Sequence, residues 1–129
     1  METALPYKAD VQRKLFIKKD LMELGHWIDT LSNVNEELGY LKLIEKQLLK
    51  NNSSEANLQG LRRKNTLLMG MLCKYEQELN TEHEYGKSEY NLIRAKEHEK
   101  KRDVHSAFIQ EFNQIKKGIY DKLVKYPFE

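Results

Sequence analysis

Only two prolines occur in the 129 residues, Pro6 and Pro127, and between them apolar residues recur at steps of three and four. Proline removes a helix hydrogen bond and clashes with the preceding turn, so its absence leaves long helices open. The spacing places the apolar side chains on one stripe of a 3.6-residue helix, which must be covered by another element. A chain with this pattern is restricted to a few long helices packed along their stripes.

The first helix is expected over about 7–50, with Ile17, Leu21, Leu24, Ile28, Leu31, Val34, Leu38, Leu41, Glu45 and Leu48 along its seam. Ile28, Leu31 and Val34 make two successive steps of three, a stammer-like slip that should rotate the seam near Trp27. The run NNSSEAN at 51–57 breaks the pattern, and Asn52 with Glu55 predicts a capping box opening a second helix over about 55–83. That helix carries Leu58, Leu61, Asn65, Leu68, Leu72, Tyr75 and Leu79, with Asn65 on the seam as a candidate register-fixing residue. TEHEYGKSE, with Gly86 and a candidate N-cap at Ser88, predicts a turn and then a third helix over about 88–126. Its stripe is Tyr90, Ile93, Val104, Phe108, Phe112, Ile115, Ile119, Leu123 and Tyr126, and it lapses between Ile93 and Val104.

Three helices joined by two short connections predict a single all-α domain, 1–129, folded as an up-down-up antiparallel three-helix bundle with coiled-coil-like packing. A four-helix bundle is the alternative if helix 1 bends near Gly25 or helix 3 breaks in its charged middle. At about 1.5 Å per residue the helices measure roughly 65, 43 and 58 Å, so overhangs are expected at 7–20 and 118–126. Leu15, Phe16 and Ile17 at one end, and Ile119, Tyr120, Leu123, Val124 and Phe128 at the other, are then poorly covered and become candidate interfaces. The partner they imply is a second copy of the chain or another helical protein.

Charge argues against a nucleic-acid binder. The net charge is +2, and Lys/Arg against Asp/Glu runs eight to seven over 7–50, four to four over 51–83 and ten to eight over 84–129. Phosphate binding needs clustered cations on one face. The local exception is KADVQRKLFIKK at 8–19, where Lys8, Arg13, Lys14, Lys18 and Lys19 surround Leu15, Phe16 and Ile17. This arm is the alternative site, for a nucleic acid or an anionic membrane surface. A lone Cys73, no continuous apolar leader and no window of roughly 18 apolar residues predict a soluble, cytoplasmic protein.

The stretch RAKEHEKKRDVH at 94–105 invites a metal reading. Di-iron bundles need Glu-x-x-His motifs on two helices, and Glu23-Leu-Gly-His26 is the single match here. His98 and His105 are seven apart, about 10 Å along the axis, too far for a chelating pair, and Arg102 stands between them. Glu97–Lys101 and Glu99–Arg102 have the spacings of ion pairs along an exposed helix. No metal, cofactor or small-molecule substrate is therefore expected. With no nucleophile elbow or phosphate-binding loop, and with Cys73 beside the seam, neither is catalysis. Trp27, in LMELGHWIDTLSNVNEEL, resembles the first-helix tryptophan of spectrin-type three-helix repeats. The resemblance covers about one helix, with no second tryptophan and no repeated unit, and it implies shared packing, with Trp27 as a large core or interface anchor.

Overall fold

The computed structural model describes residues 5–125. Helix α1 spans Tyr7–Leu43 and ends in a π-helical turn, Ile44–Leu48; α2 spans Glu55–Tyr85 and α3 spans Leu92–Val124. All three helices pack on one another, and the described residues contain no strand. The architecture is the expected all-α three-helix bundle. None of these helices is long and apolar enough to cross a membrane.

The buried line of α1 is Arg13, Ile17, Asp20, Leu24, Trp27, Leu31, Val34, Leu38 and Leu41, followed in the π-turn by Glu45. These steps alternate four and three throughout, so the expected slip near Trp27 is absent. It arises only if the flanking Leu21 and Ile28 are counted in place of Asp20 and Trp27. Leu21 and Ile28 are partly buried flanks. The α2 seam runs as expected from Leu58 to Leu79.

Helix α3 is continuous through 94–105 and does not break. Its buried residues include His98, His105, Phe112 and Ile119, each seven after the last, with Phe108 between them. The lapse in the apolar stripe is therefore no gap in the seam, because two histidines occupy it. Ile93 and Val104, expected on the stripe, face outward.

The ends of the bundle are nearly flush, against the expectation of two overhangs. Arg13 donates to the carbonyls of Glu82 and His83 at the end of α2, and Lys122 near the end of α3 reaches Ser53 Oγ in the hairpin. Ile17 and Ile119 are both 0% exposed, so neither belongs to an open interface. Near the start of α1 the cover comes from the end of α2 and from Glu89 and Tyr90 of the second connection, since α3 begins only at Leu92.

Both connections are built differently from the expected caps. Ser54, not Asn52, precedes α2, and no side chain of its own caps the helix. The cap comes from α1: buried Glu45 accepts the Ser54 N–H at 2.9 Å through Oε1. Asn51 Oδ1 accepts the Ser53 N–H, and Lys50 takes a positive φ of 49° to turn the chain. At the second connection Asn91, not Ser88, caps α3, its side chain accepting from the Arg94 N–H at 3.1 Å.

Gly86 ends α2 with its N–H bonded to the Glu82 carbonyl at 2.9 Å. A Cβ at this position would run into that same carbonyl oxygen and the Glu82 carboxylate. Gly86→Ala should therefore destabilise the fold by about 2 kcal/mol, since backbone has to move. Urea unfolding checks this, and a change within about 0.5 kcal/mol, the ordinary surface value, would count against it.

Candidate functional site, a polar cluster in the core

The α1–α3 seam is polar at one level. Asp20, Glu23 and Trp27 come from α1, Tyr75 from α2, Tyr90 from the connection, and His98, Arg102 and His105 from α3. The heptad explains the assembly. Asp20 and Trp27 are seam positions, Glu23 lies one turn after Asp20, and His98 and Arg102 are one turn apart on the facing helix.

His98 is 2% exposed and bonded on both sides. Its Nδ1 lies 2.7 Å from Tyr75 Oη, and its Nε2 lies 2.7 Å from Glu23 Oε1 and 3.4 Å from Asp20 Oδ1. Arg102 donates to Glu23 through Nε (2.9 Å to Oε2) and Nη2 (2.7 Å to Oε1). Tyr90 donates its O–H to Asp20 Oδ2 at 2.5 Å. Just outside, Arg94 pairs with Glu82 at 2.7 Å.

Trp27 stacks on both histidines, its ring centroid 4.9 Å from His98 and 5.7 Å from His105, each tilted by 25°. Residues one heptad apart are about 10.5 Å apart along the axis, so the indole sits between the two imidazoles. The expected anchor role of Trp27 thus falls on α3. His105 Nε2 is buried without a hydrogen-bond partner among the described residues.

These environments set the charges. The Arg102 hydrogen bonds, and then the His98 contact, outweigh burial and hold the Glu23 carboxyl at about 2, well below the usual range. The same ion pair raises Arg102. Burial first, and then the Asp20 charge, raise Tyr75; burial and the hydrogen bond to Asp20 raise Tyr90. Both phenols stay protonated. Burial lowers His105, opposed by a backbone contact with Trp27, so its imidazole is kept neutral.

A pH dependence follows. A buried neutral His105 contributes stability that is present above its ordinary value of 6.5 and is lost as pH falls from there toward its lower folded value. Glu23, depressed to about 2 from an ordinary 4.5, contributes stability present above 4.5 and lost between about 4.5 and 2. The unfolding midpoint in urea should therefore begin to fall below about pH 6.5 and fall more steeply below about 4.5. In His105→Phe the first phase should vanish while the second remains; a midpoint that stays flat from pH 7 to 5 in the wild-type protein contradicts the assignment.

The interface residues expected from sequence are not brought together. Leu15 is 62% exposed, Phe16 rests its ring on Tyr90 at 5.2 Å, and Ile17 is buried. At the opposite end Ile119 is buried, Tyr120 and Val124 are exposed, Leu123 is half-buried, and Phe128 lies outside the described residues. Of the basic arm, Lys8, Lys18 and Lys19 are on the surface, Lys14 pairs loosely with Asp10 at 3.7 Å, and Arg13 is withdrawn into the core.

Arg102, expected beside Glu99, turns inward to Glu23. His98, in the stretch where the apolar stripe lapses, sits at the centre. The trace available in the sequence was the strict seven-residue spacing of His98, His105, Phe112 and Ile119, which marks histidines as seam residues. Among the described residues, Asp20, Glu23 and His98 form the group whose ligand atoms lie close enough to share an ion. No protein-family model, no curated protein and no solved structure matches the chain.

Proposed function

We propose that the protein acts without catalysis, in the cytoplasm, through contact between the N-terminal outer face of α1 and a second copy of itself. The observation that carries this reading is the pair Leu15 and Met22, 62% and 64% exposed and seven residues apart on the side of α1 facing away from the bundle. Such outward positions are ordinarily polar. Exposed Tyr7 and Val11 extend the stripe, and with Lys8, Gln12 and Leu15 they line a shallow shelf. The exposed free thiol of Cys73 fits a reducing compartment.

An antiparallel two-fold pairing centred on Leu15 sets Lys8 opposite Met22 and Val11 opposite Lys19. Lysines then lie over apolar side chains, where their aliphatic stems can cover them, and do not face one another. Analytical ultracentrifugation at tens of micromolar should find dimer at both low and high salt. Leu15→Lys should weaken association at least about tenfold while leaving the monomer folded. A wild-type monomer under all conditions removes the reading.

The exposure of Lys8, Lys18 and Lys19 supports a second reading, an anionic surface or polymer bound by the same arm without Arg13. That binding would weaken steeply with salt, whereas apolar association survives it.

A further inference from the structure

Three ligand-capable atoms converge in the polar cluster: His98 Nε2, Asp20 Oδ1 and Glu23 Oε1 all lie within 4.8 Å of one another. Each belongs to a side chain held from behind by its other polar atom. Tyr75 Oη meets His98 Nδ1, the Tyr90 O–H meets Asp20 Oδ2, and Arg102 Nε meets Glu23 Oε2. Metal ligands are typically oriented by such outer partners, which fix the ring and carboxylate planes before the ion arrives.

We propose that Asp20, Glu23 and His98 bind one divalent transition-metal ion of the Zn²⁺ type. One imidazole and two carboxylates suit Zn²⁺ and its first-row neighbours. The 3.4 Å between His98 Nε2 and Asp20 Oδ1 matches the edge of a tetrahedron with bonds of about 2.05 Å, which is about 3.3 Å. The 2.7 Å between His98 Nε2 and Glu23 Oε1 is a hydrogen bond. The ion replaces that shared proton, and the two atoms move apart by about 0.6 Å to reach the same edge. The imidazole proton then resides on Nδ1 and is donated to the Tyr75 oxygen. Water or a ligand from solvent completes the coordination on the Glu23 side, where that residue and Arg102 are partly exposed.

Arg102 is the competing cation. Its Nη2 donates to Oε1, the same oxygen the ion needs, so it has to swing toward solvent when metal binds. The site therefore holds zinc only moderately, and Arg102 sets how tightly. A cluster serving packing alone has no reason to bind metal more tightly once its arginine is gone.

Tag-free protein stripped with chelator is titrated with ZnCl₂ by calorimetry, and with Co²⁺ while following its visible absorption. The expected result is one ion per chain, weakened by about 10- to 100-fold in Asp20→Asn and in His98→Gln, and tightened several-fold in Arg102→Met. Circular dichroism establishes that each variant is folded. If His98→Gln does not fold, Asp20→Asn and Arg102→Met carry the test. Wild-type protein that takes up no stoichiometric ion overturns the proposal; so does uptake unaffected by Asp20→Asn, which would belong to surface histidines such as His26.

Discussion

His98→Ala should lower the unfolding free energy by about 4 kcal/mol, the largest single-residue effect expected in this bundle. The imidazole is 2% exposed, stacked on Trp27 and hydrogen-bonded to residues of both other helices. Alanine leaves a cavity beside the indole, strands the Tyr75 hydroxyl and removes one donor from Glu23. The loss at Glu23 is the smallest of the three, because its side chain is 34% exposed and keeps both Arg102 bonds. His98→Phe refills the volume without the bonds, so it should recover about half of the loss. Equilibrium urea unfolding reads both values. A loss under about 1.5 kcal/mol for alanine would mean that the ring is not packed as described.

Arg13→Ala should cost about 3 kcal/mol. Arg13 is 2% exposed and donates through Nη1 to the Glu82 carbonyl at 2.5 Å and through Nη2 to the His83 carbonyl at 3.3 Å. Those carbonyls belong to the last turn of α2, where the Glu82 carbonyl also accepts the Gly86 N–H and where positive charge is favoured. Asp10 Oδ1 accepts from Nε and Nη2 at 3.2 and 3.0 Å and orients the guanidinium. Arg13→Met keeps most of the buried stem, so the difference between the two variants isolates the cap, at about 1–2 kcal/mol. Hydrogen exchange should rise at the end of α2 and the start of α1 and leave the 51–54 hairpin unchanged. Uniform loosening of the whole bundle would point to packing alone.

Polar seam residues recur along the bundle, and four of them find a partner on another segment. Asn65 Nδ2 donates to the Leu31 carbonyl at 3.2 Å, Glu45 caps Ser54, Asp20 accepts from Tyr90, and His98 joins Tyr75 to Glu23. A purely apolar seam tolerates sliding by a heptad, because one Leu layer resembles the next. Here a slide would strand these groups in the core, where each unpaired group costs about 1–3 kcal/mol. The expected register role of Asn65 fits this pattern and is shared with residues that carry charge.

Much of the architecture was legible because periodicity is a local property. Absence of proline, three-four spacing and two polar breaks determined three helices, their order, their antiparallel packing and the whole α2 seam. The same logic misplaced α1's line near Trp27 and left a hole in α3, since both readings counted apolar residues only. Asp20, His98 and His105 lie on the seam in strict heptad phase, yet their polarity hid them. The two caps were misread for a related reason: Glu45 and Asn91 act where the chain turns, and the backbone path through a turn is not encoded by stripe spacing.

What the chain alone determined is therefore which faces of its helices are apolar and how many helices there are, because those follow from 3.6 residues per turn. Tertiary structure decided which polar side chains those faces bury and what they meet. Asp20 and Glu23 reach His98 across about 75 residues of sequence, and Arg13 reaches Glu82 across 69, through contacts set by the axial register of three helices. That register depends on where each turn ends and which buried groups find partners, a property of the packed bundle that no single helix possesses.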